Sequence, residues 1–155
     1  MKKNNFFWIA TAAVLIIVFI ALLRLLSAAP DLSGVLLPAG FPTANGLLVI
    51  WGFLFLLWGI GTRFVYSAKL SPRRQRNIFL NSLILAGGIF IWNYMIFGAV
   101  NFSGALAVAA ALLLLGVVVW FMYLVTHRYG GYLFIPMMIW LVYILYLSIA
   151  FAVKN

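Results

Sequence analysis

Polar positions in this chain come in short clusters separated by long apolar runs. Five runs, at about residues 6–29, 46–66, 78–97, 102–125 and 132–153, each match the roughly 20 residues a helix needs to cross about 30 Å of hydrocarbon. Lipid cannot satisfy free backbone groups, and runs of this length exceed barrel strands, so the pattern predicts helices. The expected fold is an all-α integral membrane protein, a five-transmembrane-helix bundle in which residues 1–155 form a single transmembrane domain. Composition agrees. Hydrophobic residues make up 68% of the chain and charged ones 7%, against about 45–50% and 25% in soluble domains, and 155 residues could not hide that much apolar surface from water.

The connections differ in kind. The first, 30–45, holds Pro30, Pro38, Pro42, Gly34 and Gly40 and is itself apolar. It reads either as a lid folded over the mouth of the bundle or as an interfacial segment. The second, "SAKLSPRRQRN", is a basic loop; the third, near residues 99–101, is a tight turn; the fourth, "THRYGG", is short. The start of the chain resembles a signal peptide, with Lys2-Lys3 before an apolar run and "SAA" after it. That run is longer than the 7–15 residues of a signal's apolar region, and Pro30 would follow the cut. A retained first helix is expected.

Ten Lys and Arg face one acid, Asp31. With five spans, Lys2, Lys3, Arg63, Lys69, Arg73, Arg74, Arg76 and Arg128 fall on one side, and Arg24 and Lys154 on the other, 8 against 2. The bases therefore act as topology determinants that attract anionic headgroups, and no nucleic-acid partner is expected. The positive-inside rule puts the N-terminus in the cytoplasm and the C-terminus outside. Arg24 either pairs with Asp31 or stays solvated alone.

The spans lack the Asp, Glu, Lys or His that ion-coupled transporters use to bind and release their ion. One acid excludes a paired-carboxylate mechanism. His127 and Asp31 fall on opposite faces, which excludes a Ser-His-Asp arrangement, and no metal-ligand set or cysteine exists. What the spans do carry is rings: six Trp, seven Tyr and fourteen Phe. Trp8, Tyr129 and Tyr132 suit an interfacial belt. Trp51, Phe55 and Trp58 share one face of the second helix by their i, i+4, i+7 spacing. Asn81, Leu85, Gly88 and Trp92 do so on the third, and Pro136, Trp140, Tyr143 and Leu147 on the fifth. Interhelix packing explains one such stripe; three suggest a shared aromatic cavity for a flat apolar ligand. Asn81, Tyr143 and Ser148 could orient a polar edge of it. Pro136 either bends the fifth helix to widen the mouth or serves packing. "AGG" (86–88) and "SGALAVAAA" (103–111) read equally as internal packing or as a dimer seam.

The segment "GYLFIPMMIWLVYILYLSIAFAVKN" is similar to the last helix of the TspO/MBR family, the translocator-protein or tryptophan-rich sensory proteins, with a Pro, a Trp four residues on and an aromatic three beyond. "IWNYMIFGAVNFSGALAV" resembles that family's third-helix end, and "FPTANGLLVIWGFLF" the start of its second helix. The chain departs from the family pattern at Gly40 and Thr43, which replace a Trp and a second Pro of the first loop, and at Leu85 and Ile89, which replace two Asn of the third helix. A more apolar cavity than the family's follows. The resemblance implies a ligand pocket beneath the first loop, with Pro42, Trp51, Phe55, Trp92, Trp140 and Tyr143 carried over by position. Its ligands would be porphyrin or haem, a sterol or another lipid. The resemblance implies a tetrapyrrole as ligand, with no obligatory cofactor, and a homodimer in a bacterial plasma membrane. Three functions stay open: a receptor, sensor or translocator-like protein; an accessory subunit of a larger membrane complex; and light-dependent porphyrin breakdown at Trp51 and Trp140.

Overall fold

The computed structural model of the chain describes residues 4–28 and 35–155. Six helices follow one another: α1 Asn4–Ser27, α2 Ala44–Ser67, α3 Pro72–Phe97, α4 Phe102–Thr126, α5 Arg128–Leu133 and α6 Ile135–Lys154. Five segments are long and apolar enough to cross a membrane, α5 and α6 together making the last, Arg128–Lys154. The predicted five-helix bundle is what the chain forms. Asp31 and its suggested pairing with Arg24 lie outside the described residues.

Two connections are shorter than the sequence suggests. The basic segment is largely helical: Ser71 caps α3 by accepting from the Arg74 amide, and Pro72 stands at the first turn. Pro is at home there because that turn has no use for its missing N–H. Only residues 68–71 separate α2 from α3. Likewise "RYGGYL" is the helix α5, parted from α4 by His127 alone. Pro136 lies in the first turn of α6, beside the break at Phe134. Thr43 caps α2 through the Gly46 amide, and Asn101 caps α4 through the Gly104 amide.

Around the bundle α2 packs on α1, α1 on α3, α3 on α4, and α4 on α6. The ring closes between α2 and the α5–α6 pair, and it closes unevenly. At the basic end α2 and α5 nearly touch: a Cβ on Gly61 would sit 3.1 Å from the Gly130 carbonyl, and one on Gly130 2.7 Å from the Val65 side chain. Towards the first loop the backbones of α2 and α6 draw apart, and large rings fill the interval. Trp51, Trp58 and Phe134 are buried there.

Candidate functional site

The ring-filled interval is continuous. Trp51 on α2 meets Trp140 on α6 edge to face, with centroids 6.0 Å apart. Trp51 also touches Phe55 at 5.6 Å, Phe55 touches Trp58 at 6.1 Å, and Trp58 stands edge-on to Phe134 at 5.4 Å. Trp140 continues to Tyr143 at 5.1 Å. Such contacts are favourable because ring edges are positive and ring faces negative, each pair adding about 0.5–1.5 kcal/mol beyond its area. Trp51, Phe55, Trp140 and Tyr143 are thus brought together as one body of rings.

Polar groups at the two ends of this body differ. Around Trp58 every donor is used. The Trp58 indole N–H donates to the Tyr123 hydroxyl at 3.0 Å, and Thr62 Oγ1 donates to the Trp58 carbonyl at 2.8 Å. Thr62 has only one proton, so its 2.9 Å contact with Tyr123 is donated by Tyr123, and Ser82 then donates to Tyr123 at 3.3 Å. The bonds form a circuit that leaves Trp58 by its N–H and returns to its C=O. Two turns away, the indole N–H groups of Trp51 and Trp140 are buried and have no hydrogen-bond partner among the described residues. A buried unpaired donor forfeits about 1–3 kcal/mol.

The first loop lies over the Trp140–Tyr143 side. Gly40 adopts φ +80°, a left-handed conformation open to glycine, and its carbonyl accepts from the Tyr143 hydroxyl at 2.7 Å. This is the place where the family pattern has a Trp, and a Cβ there would be strained whatever the space. Leu36 is held in both directions by Asn155: its amide donates to Oδ1 at 2.9 Å and its carbonyl accepts from Nδ2 at 3.2 Å. Phe41 wedges edge-on against Phe151 at 5.1 Å and near Phe97 at 6.0 Å. Residues 35–43 are therefore fastened to α6 at two points, as a lid would be, and Pro42 sits half-buried just before the Thr43 cap.

Three predicted residues have other surroundings. Trp92 is fully buried, but its N–H donates to Ser148 Oγ at 2.8 Å, and Ser148 passes its own proton to the Ile144 carbonyl. Ser148 is accordingly occupied. Leu147 is fully buried on α6. Asn81 stands about 16 Å from Trp92 along α3 and donates to its own Asn77 carbonyl at 2.8 Å; the structure does not bring it to the rings. An open chamber walled by the stripes is not what the rings form, since each stands on the next. A cavity of about 500 Å³ lies elsewhere, between α1 and α2, and of the predicted residues only Phe55 lines it. Sequence reasoning missed the Gly40 carbonyl, Asn155, and the Thr62–Ser82–Tyr123 hub. The hub had a signal: hydroxyls inside three apolar spans, each towards the basic end of its span.

A five-span bundle with tryptophans of α2 and α6 meeting under a fastened first loop sets the context for comparison with known proteins. The model of the TspO/MBR family matches residues 9–153. This chain belongs to the TspO/MBR family. No curated protein matches it. In this TspO-like integral membrane protein Leu85 and Ile89 are fully buried, and Thr43 caps α2.

Proposed function

We propose that this TspO/MBR protein is a membrane receptor or translocator-like protein that takes a flat hydrophobic ligand between α2 and α6. What supports the reading is one observation: the paired indole N–H groups of Trp51 and Trp140, buried in ring contact and without acceptors among the described residues. A ligand with an apolar face and an acceptor edge would stack where one ring now stacks and receive both donors. Porphyrin and haem have that shape and carry such acceptors; sterol-like lipids offer a smaller polar end. Binding requires residues 35–43 to release Tyr143 and Asn155, and Trp51 and Trp140 to part. The reading sets the protein in a bacterial plasma membrane with its basic end cytoplasmic, as a homodimer.

Titration of the purified protein with protoporphyrin, followed by tryptophan fluorescence, tests it. Saturable quenching stronger than that of free tryptophan in the same detergent is expected, and quenching no stronger refutes the porphyrin reading. A second reading, an accessory subunit of a larger complex, draws on the rings being already seated on one another without a gap. Purification from native membrane separates the two, since a stoichiometric protein partner belongs only to the second. Porphyrin breakdown would be a consequence of the first reading, and turnover unchanged in Trp51→Phe and Trp140→Phe would remove it.

A further inference from the structure

Between α1 and α2 lies an open cleft of about 500 Å³, within the roughly 300–1,000 Å³ of ordinary ligand sites. Gly52 and Gly59 form its floor, Ile16 and Leu56 flank it, and Trp8 and Arg63 close one end. A Cβ on Gly59 would meet nothing within 4 Å, so this groove is room left by the helices and not a seam between them. Its walls are apolar apart from the guanidinium.

Arg63 is the unusual member. Its guanidinium lies 5.3 Å from the centre of the Trp8 ring, an attraction that fixes a cation without consuming its N–H donors. It makes no hydrogen bond to any described residue, and none of the described residues is an Asp or Glu. Among the described residues no side-chain carboxylate is therefore available to Arg63. Lys69, Arg73, Arg74 and Arg76 follow within thirteen residues and raise the positive potential there. From Arg63 to Gly52 the cleft runs about 16 Å along α2, close to half of the roughly 30 Å hydrocarbon core. The groove is one leaflet deep, with its charge at the headgroup end.

From this we infer that the α1–α2 cleft is a binding site for one anionic phospholipid of the leaflet at the basic end. The phosphate sits on Arg63, and one acyl chain lies over Gly59 and Gly52. The charge selects the headgroup, the depth selects a single chain, and the glycines make the room. The cleft opens between α1 and α2, whereas the paired indoles lie between α2 and α6; Phe55 is the one residue of the ring body that lines it.

Native mass spectrometry of the full chain in detergent, titrated with phosphatidylglycerol or phosphatidylcholine, tests this. Wild type is expected to retain one phosphatidylglycerol with an affinity about fivefold above that for phosphatidylcholine. Arg63→Gln should lose the preference, Arg63→Lys should restore most of it, and Arg74→Gln should leave it intact. Gly59→Leu, whose Cβ would meet nothing within 4 Å, should abolish retention of both lipids while circular dichroism stays unchanged. Equal retention of the two lipids by wild type overturns the proposal. So does an Arg63→Gln protein that binds phosphatidylglycerol as wild type does. A Gly59→Leu protein that loses a dimer but keeps its lipid would assign the groove to a second copy of the chain and overturn it too.

Discussion

Trp58 and Trp51 stand seven residues apart on one face of α2, equally buried and oppositely served. Trp58 sits where α2 and α5 are drawn together by Gly61 and Gly130, and its N–H is locked into a circuit with Tyr123 and Thr62. Trp51 sits where α2 and α6 diverge, against another tryptophan, and its N–H donates to none of the described residues. The fold thus has a closed end, in which packing and hydrogen bonding agree, and a loop end, in which two donors are left over beneath a lid held by a few bonds. Stability should reside in the first and responsiveness in the second.

Five substitutions probe that difference, from the largest effect to the smallest. Gly130→Val would drive a branched side chain into Val65 and the Gly61 carbonyl; overpacking of this kind costs about 3 kcal/mol, read as a lowered unfolding midpoint or loss of folded protein. Tyr123→Phe removes the hydroxyl that Trp58 and Ser82 donate to and that serves Thr62. With a buried indole left unpaired, about 1–3 kcal/mol should be lost in a denaturant titration. Trp58→Phe and Trp51→Phe make the same chemical change at the two ends. The first should cost about 1–2 kcal/mol more than the second, because Trp51→Phe deletes a donor that has no partner. Protoporphyrin affinity should respond in the reverse order, falling about tenfold in Trp51→Phe for one lost hydrogen bond. Tyr143→Phe frees the Gly40 carbonyl and loosens the lid by about 1 kcal/mol, seen as roughly fivefold faster amide exchange in residues 35–43 with little change elsewhere.

The closed end and the loop end were legible to different degrees. Span positions came directly from hydropathy, since five runs of twenty apolar residues admit few other folds. Helix ends were less legible: the arginines after Pro72 look like a loop by polarity, although the Ser71-Pro72 pair carries a start signal that polarity obscured. The stripe on α2 was read correctly as an inward face, with Trp51, Phe55 and Trp58 all buried. Periodicity gives the face of a helix but not the depth at which a residue meets its neighbours. Asn81 lies on the same face as Trp92 and about 16 Å too far along it, where its amide folds back on its own backbone. Nor could spacing reveal that Trp92 and Ser148 satisfy each other while Trp51 and Trp140 do not, because that depends on how far apart two backbones stand. The latch of Tyr143 on a glycine carbonyl was hidden for a similar reason, since a backbone acceptor has no signature in sequence.

The central claim is that the unpaired indoles of Trp51 and Trp140 are the contact points for a flat ligand. Nitrogen-15 NMR of the six indole N–H groups, assigned by single Trp→Phe changes and recorded during a protoporphyrin titration, addresses it directly. Trp51 and Trp140 should shift together and saturate, while Trp58 and Trp92, already bonded to Tyr123 and Ser148, should stay nearly still. Uniform small shifts across all six, or movement at Trp58 and Trp92 with Trp51 and Trp140 unaffected, would contradict the account.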